Sequence, residues 1–138
     1  MRLELATPPR LIVSAEVDEV VAPGTEGYFG VLPGHAPFLT TLGVGEMTYR
    51  QGREERFVAV FGGFAEVTGE RVIVLAEDAQ LPEEIDRARA EEARQRAEQR
   101  LSGRHPTGSR EDIDFARAVA ALARALARLK VADRVSVV

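Results

Sequence analysis

The sequence has no cysteine, no tryptophan and only two histidines among its 138 residues. The absence of cysteine excludes disulfide bonds, thiolate metal sites and a cysteine nucleophile. His35 and His105 are too few to build a zinc site or extensive acid–base chemistry by themselves. No run of 18 apolar residues is present, so we expect no membrane-spanning helix, and the first residues lack the apolar segment of a secretion signal. These absences argue against most enzyme classes.

What the sequence does contain is typical of a folded globular protein, with 45% hydrophobic and 29% charged residues. A chain of this length corresponds to one main domain with room for a small additional unit. Residues 1–82 carry six arginines and twelve acidic residues, a net of −6, whereas residues 83–138 carry twelve basic and ten acidic residues, a net of +2. This asymmetry predicts two regions with different partners.

Residues 1–81 show the pattern of antiparallel β-structure. Short segments rich in Val, Phe and Leu are separated by Gly and Pro turns at the close spacing that is typical of a sandwich or barrel. Gly62-Gly63, between two phenylalanines, predicts a bulge or a close backbone approach. The predicted strands are Leu3–Ala6, Leu11–Val21, Gly27–Val31, Gly45–Gln51, Arg56–Val60, Gly63–Val67 and Val72–Glu77.

Residues 82–138 change to a helical pattern. Pro82 suits a first helical position, and the acidic residues after it suit the first turn. A polar loop over 102–108 and an N-cap at Ser109 with Asp112 then lead into a second helix that ends near Val131. The predicted fold is α+β, with a β-sandwich over 1–81 and an antiparallel two-helix hairpin over 82–138. The predicted apolar stripes are Ala90, Ala93, Ala97 and Leu101 on the first helix and Phe115, Val119, Leu122, Leu126 and Leu129 on the second.

The hairpin also carries a shared charged face. Asp86, Arg89 and Arg96 fall on one side of the first helix by their spacing. Arg117, Arg124 and Arg128 fall on one side of the second. Arginine binds phosphate oxygens bidentately, so this face predicts a polyphosphate site, a solvated surface or a docking surface for an acidic partner protein. Nucleic acid is disfavoured, because no aromatic residue accompanies these arginines for base stacking and the whole chain is acidic.

The order of motifs resembles the epsilon subunit of F-type ATP synthases, of the bacterial and chloroplast type. The segment Ala22–Thr40, APGTEGYFGVLPGHAPFLT, looks like the signature of that family. Gly62–Val67, Val72–Glu77 and Asp112–Leu129 are similar to its later strands and its second C-terminal helix. The resemblance covers nearly the whole chain in order.

The resemblance implies a β-sandwich of about ten strands and a mobile helical hairpin. It implies that the sandwich binds the gamma subunit and the ring of c subunits, which helps to couple proton flow to rotation. It implies a peripheral position on the cytoplasmic face of the bacterial plasma membrane, without direct membrane insertion and without catalysis by the subunit itself. It also implies that a hairpin packed on the sandwich permits ATP hydrolysis, whereas an extended hairpin enters the alpha/beta catalytic hexamer and inhibits hydrolysis.

Some members of that family bind ATP as a regulatory ligand on the folded hairpin. Their motif, Ile/Leu-Asp-x-x-Arg-Ala, corresponds here to Ile85, Asp86, Arg89 and Ala90. A glutamate of the ATP-binding members falls at Gln80, which keeps hydrogen-bonding capacity but loses the carboxylate. The further arginines implied by the resemblance are Arg96, Arg117, Arg124 and Arg128. We expect no covalently bound cofactor and no metal.

Two other interpretations remain open at this point. The chain could be a coupling and inhibitory subunit without a nucleotide site, whose arginine face docks on acidic surface of the catalytic hexamer. It could also be an unrelated β-sandwich binding module with a helical oligomerisation tail. Titration with ATP separates the nucleotide hypothesis from the first of these, and co-purification with a catalytic hexamer separates both from the second.

Overall fold

The structure is a computed structural model that describes residues 1–102 and 109–134, with side chains from 113 onward in the second range. The predicted loop around His105, the side chains of the capping pair Ser109 and Asp112, and the tail after Arg134 lie outside the described residues. The strands are β1 (Arg2–Thr7), β2 (Arg10–Glu16), β3 (Glu19–Gly24), β4 (Gly27–Val31), β5 (Phe38–Gln51), β6 (Glu54–Val67), β7 (Arg71–Ala76) and β8 (Ala79–Gln80), and the helices are α1 (Arg87–Leu101) and α2 (Ser109–Ala132).

The strands form one hydrogen-bonded path that folds over on itself. Their order is β2-β1-β7-β6-β5-β3-β4, with β8 paired to β6. Among the described strands the β1–β7 pair is parallel, and the other pairs are antiparallel. Val13 on β2 and Val31 on β4 stand at opposite ends of this path, yet both belong to the same buried cluster. The two ends of the sheet therefore face each other across one core, which confirms the predicted two-layer β-fold.

The long strands β5 and β6 explain why the structure has eight described strands and the resemblance implied about ten. Each has 14 residues, and each is interrupted at a glycine, since pairing passes from Leu42↔Gly63 to Val44↔Phe61 without Gly43 and Gly62. The separate strands predicted at Arg56–Val60 and Gly63–Val67 are thus halves of β6. The described residues form eight strands, and counting both long strands twice gives the expected ten. The single strand predicted at Leu11–Val21 was wrong, because the chain turns at Val17-Asp18 and forms the two strands β2 and β3 there.

Strand β6 is buried on both faces, and this places the hairpin. Val58 and Val60 point into the sandwich core, while Ala59 and Phe61 alternate to the opposite side. There they pack against Val131 and against Ala127, which with them form a second buried cluster. The hairpin therefore lies on the outer surface of the sheet.

Helix α1 begins later than predicted. Pro82–Glu84 form a single 3-10 turn, Ile85 is extended, and the regular helix starts at Arg87 with Asp86 as its N-cap. The Asp86 carboxylate accepts a hydrogen bond from the backbone N–H of Arg89 at 3.1 Å, which is the usual role of Asp at this position. The break lets Ile85 pack against the second buried cluster.

The apolar stripe predicted for α1 is confirmed at two of its four positions, since Ala93 and Leu101 are only partly buried. Some positions of the seam predicted for α2 were wrong. Ala90 and Ala97 are buried in the hairpin. On α2 the buried positions are Ala118, Ala125, Ala127, Leu129 and Val131, whereas Val119 and Leu126 are about half exposed. In the part of α2 before Ala127, the small Ala118 and Ala125 are buried and the larger Val119 and Leu126 face outward. Within the described helices, none is long and apolar enough to cross a membrane.

Candidate functional site

A cleft of about 460 Å³ opens where the start of α1 and the end of α2 meet the last strand of the sheet. Three arginines of the predicted face, Arg89, Arg96 and Arg128, lie in its wall. The full lining is Gln80, Glu84, Asp86, Arg89, Ala90, Ala93, Arg96 and Arg128. The cleft thus combines converging guanidinium groups with a small apolar floor from two alanines.

Arg128 is the most constrained cation of the cleft. Its Nε donates a hydrogen bond of 2.7 Å to Oε1 of Gln80, and its guanidinium carbon lies 4.4 Å from the ring centre of Phe61. Burial lowers the pKa of Arg128; the Asp78 carboxylate opposes this, and the positive charges of Arg124 and Arg89 add to it. An anion in the cleft would relieve the repulsion among these cations.

The other positions of the predicted site fall into two groups. Asp86 stands at the cleft with its carboxylate engaged as the α1 cap, and Ile85 turns away to pack on the sheet. Arg124 acts electrostatically on Arg128 but is not part of the lining. Arg117 is exposed on α2 and is also outside the lining. The structure therefore brings together Gln80, Asp86, Arg89, Ala90, Arg96 and Arg128, and leaves Ile85, Arg117 and Arg124 at the periphery.

Two features of the site were missed by the sequence reasoning. Glu84 lines the cleft, although its place among acidic residues indicated only a favourable first helical turn.

Glu46 on β5 is 5% exposed. Its carboxylate accepts two hydrogen bonds of 3.0 Å from Arg134, one from Nε and one from Nη2. Lys130 Nζ lies 3.8 Å from the same carboxylate, and the Arg134 guanidinium carbon lies 4.4 Å from the ring centre of Phe57. These contacts hold the end of α2 on the sheet. Glu46 and Arg134 are 88 residues apart, so no local sequence motif predicts their pairing.

Replacing Glu46 by Gln should weaken docking of the hairpin by about 1–2 kcal/mol, since it removes charge-assisted bonds to a partly exposed arginine. The chain has no native cysteine, so spin labels at introduced Arg53→Cys and Ala123→Cys report the distance between sheet and α2. We expect a larger population at long distances in the Glu46→Gln variant. Glu54→Gln is the control, because Glu54 pairs with Arg56 on the exposed surface of β6. Equal distance distributions in both variants would contradict this role of Glu46.

Metal chemistry has no support in the described residues. Among them, no group of three or more His, Asp or Glu side chains could hold a metal ion. His35 is partly exposed in the turn before β5, with Nδ1 2.6 Å from the carbonyl oxygen of Ala36. The charged side chains that line the cleft are Glu84, Asp86, Arg89, Arg96 and Arg128.

Comparison with protein families gives two matches that together cover almost the whole chain. Residues 1–82 match the family described as ATP synthase, delta/epsilon chain, beta-sandwich domain. Residues 83–133 match ATP synthase, delta/epsilon chain, long alpha-helix domain. Among curated proteins, the ATP synthase epsilon chain of Syntrophobacter fumaroxidans is 51% identical over 134 residues, which are 97% of this chain and 96% of that one. The epsilon chain of Moorella thermoacetica is 49% identical over 136 residues, 98% of each chain.

Solved structures give the same answer at the level of the fold. A chain in the structure of the Euglena gracilis mitochondrial ATP synthase, OSCP/F1/c-ring in rotational state 1, is similar with a TM-score of 0.76 and 25% identity, covering 94% of this chain and 79% of that one. A chain in the structure of the Tetrahymena thermophila mitochondrial ATP synthase, central stalk/c-ring, has a TM-score of 0.56 at 13% identity, covering 98% and 95%. The second similarity shows the shared fold alone.

Proposed function

Because this chain belongs to the ATP synthase delta/epsilon family, we propose that it is a non-catalytic central-stalk subunit whose helical hairpin is regulated by ATP. ATP binds in the cleft between α1, α2 and the sheet and holds the hairpin on the sandwich. Loss of ATP frees the hairpin, which then extends into the catalytic hexamer and inhibits hydrolysis. The observation that carries this proposal is the convergence of Arg89, Arg96 and Arg128 on one cleft.

The cleft has the chemistry that a triphosphate requires. Guanidinium groups bind phosphate oxygens through paired, charge-assisted hydrogen bonds. Gln80 offers an amide at the inner edge of the cleft, where it already accepts a bond from Arg128. Ala90 and Ala93 leave an apolar surface between the charged groups. A phosphate chain would sit among the cations and would bridge α1 to the end of α2.

Ligand binding of this kind acts on the position of the hairpin through differential affinity. The cleft includes residues of the last strand and of both helices, so a free hairpin would not present the complete site. A ligand stabilises the state that binds it. At a free ATP concentration 100 times the dissociation constant, that stabilisation is about 2.7 kcal/mol. This exceeds the roughly 1–2 kcal/mol expected from the Glu46 contacts, so ATP would be a strong influence on docking.

We infer that the gamma subunit and the c-ring bind exposed apolar surface of the sandwich. Phe64, Leu75, Ala6 and Leu11 are successive cross-strand partners on β6, β7, β1 and β2. The three large side chains of this row are each more than half exposed. Leu32, in the turn between β4 and β5, is also more than half exposed. A contiguous apolar row on the face away from the sandwich core is typical of a surface that another protein covers.

Calorimetric titration of the full chain with ATP tests the nucleotide site. We expect binding in the micromolar-to-millimolar range, weakened at least tenfold by Arg96→Gln or Arg128→Gln, because each substitution removes charge-assisted bonds to phosphate of about 1.5–3 kcal/mol. Arg94→Gln is the matched control on the same helix, since Arg94 pairs with Glu91 and Glu98. In the sheet-to-α2 distance measurement, ATP should increase the docked population.

Absence of ATP binding would favour the docking alternative. If the folded protein gives no heat at millimolar ATP, the cleft is not a nucleotide site. The arginines would then form a docking surface for acidic regions of the catalytic hexamer, and the exposed positions of Arg117 and Arg124 suit that alternative. The subunit would remain a coupler and inhibitor without a nucleotide sensor.

A further inference from the structure

One wall of the cationic cleft carries a charge of the wrong sign for its proposed ligand. Glu84 lines the cleft together with Arg89, Arg96 and Arg128. Its carboxylate accepts a hydrogen bond from the backbone N–H of Leu81 at 2.8 Å. That bond lowers the pKa of Glu84, burial opposes the shift, and the ion pair with Arg10 lowers it further. Glu84 is therefore a fixed negative charge at neutral pH, and an unopposed carboxylate here would repel a phosphate.

The compensating cation comes from the sandwich. Arg10 begins β2, 74 residues before Glu84, and its Nη2 donates to both carboxylate oxygens, at 2.9 and 2.6 Å. Arg10 is not itself part of the cleft lining. It forms an ion pair with Glu84 and holds both oxygens of the carboxylate. Through this pair, the sandwich contributes to the electrostatic potential of a cleft whose lining cations belong to the hairpin.

We propose that Arg10 is a positioning residue of the anion cleft, which permits polyphosphate binding by neutralising and orienting Glu84. This inference rests on the proposed function, since it names a further determinant of the same ATP site. It makes a prediction that is unusual for an ion pair: loss of the two partners should have opposite effects on affinity. Without Arg10, Glu84 repels the ligand. Without the Glu84 charge, a repulsive group disappears and Arg10 adds an uncompensated positive charge near the cleft.

Calorimetric titration of the full chain with ATP tests this in four proteins and a control. We expect Arg10→Gln to weaken binding about fivefold, the order of effect of one partly exposed charge. Glu84→Gln should bind ATP at least as tightly as the wild type, since a glutamine oxygen still accepts the Leu81 N–H. The double variant should recover at least wild-type affinity. Arg2→Gln is the matched control, because Arg2 on β1 pairs with Glu16 on β2 and neither residue lines the cleft.

The outcomes separate this inference from the proposed function. If the wild type binds ATP and Arg10→Gln binds equally well, the role of Arg10 is overturned while the nucleotide site stands. If Glu84→Gln weakens binding as much as Arg10→Gln, the ion pair only fastens the segment before α1 and the electrostatic role is overturned. If the double variant stays weak, Arg10 acts by direct contact instead of through Glu84, which also overturns it. Failure of the wild type to bind ATP overturns both.

Discussion

Gly63→Ala is expected to destabilise the sandwich by about 4 kcal/mol, a large fraction of the stability of a small domain. A Cβ at this position would lie 2.1 Å from the carbonyl oxygen of Leu75 and 2.7 Å from the Cα of Ala76. The φ angle of Gly63 is +126°, a conformation that alanine avoids. Steric overlap with backbone and backbone strain each cost of the order of 1–3 kcal/mol. Urea unfolding followed by circular dichroism measures the loss.

Gly30→Ala is the control for this experiment. Gly30 also lies in a strand, β4, but nothing lies within 4 Å of a Cβ built there, and its φ is not positive. We expect a change within about 0.5 kcal/mol. Equal effects of the two substitutions would show that the close contact of Gly63 with Leu75 and Ala76 does not limit stability.

Val131→Asp is expected to release the hairpin while the sandwich stays folded. Val131 has no exposed surface and packs against Ala59 and Phe61 in the second buried cluster. The substitution removes about 1.5–3 kcal/mol of apolar burial and introduces a carboxylate whose desolvation is costlier still. The first cluster contains no described residue of α2, so its packing is left intact. Labels on the sheet and α2 should show mainly long distances, and ATP should no longer bind measurably.

The comparison variant is Val119→Asp on the same helix. Val119 is about half exposed, so a carboxylate there stays hydrated and docking should change little. Circular dichroism should retain the strand signal in both variants. If Val131→Asp instead unfolds the strands as well, the two buried clusters form one cooperative unit, and a mobile hairpin on a stable sandwich is excluded.

Most strands were predictable because most turns are marked by Gly or Pro and the buried side chains alternate. The turn at Val17-Asp18 has neither residue, so β2 and β3 were predicted as one strand. The joining of strands was not predictable, since whether β6 continues through Gly62-Gly63 depends on pairing with β5 across the sheet. The same limit explains the α2 seam. Heptad-like spacing favoured Val119 and Leu126 as buried positions, but contact between two alanine faces selects Ala118 and Ala125. Helical periodicity defines possible faces, and the partner helix decides which of them is buried.

The candidate site was predictable to the extent that its residues lie on one helical repeat. Spacing alone brought Arg89 and Arg96 to one face, and the resemblance added Gln80. The contact of Arg128 with Gln80 joins residues 48 positions apart, and that of Glu84 with Arg10 joins residues 74 positions apart. Such pairs follow from where the hairpin rests, which no local pattern encodes.

The placement of the contacts that hold α2 gives the hairpin a mechanical property. The contacts of α2 with the second buried cluster and with Glu46 fall between Ala127 and Arg134, whereas the helix begins at Ser109. At 1.5 Å per residue, its start lies about 27 Å from the first anchoring position. A force applied at Ser109, perpendicular to the axis of α2, acts on the contacts at Ala127–Arg134 through a lever arm of this length. A small force there therefore produces a large torque on those contacts. If the hairpin is released as proposed, its contacts with the sheet should break successively from Ala127 onward instead of all at once.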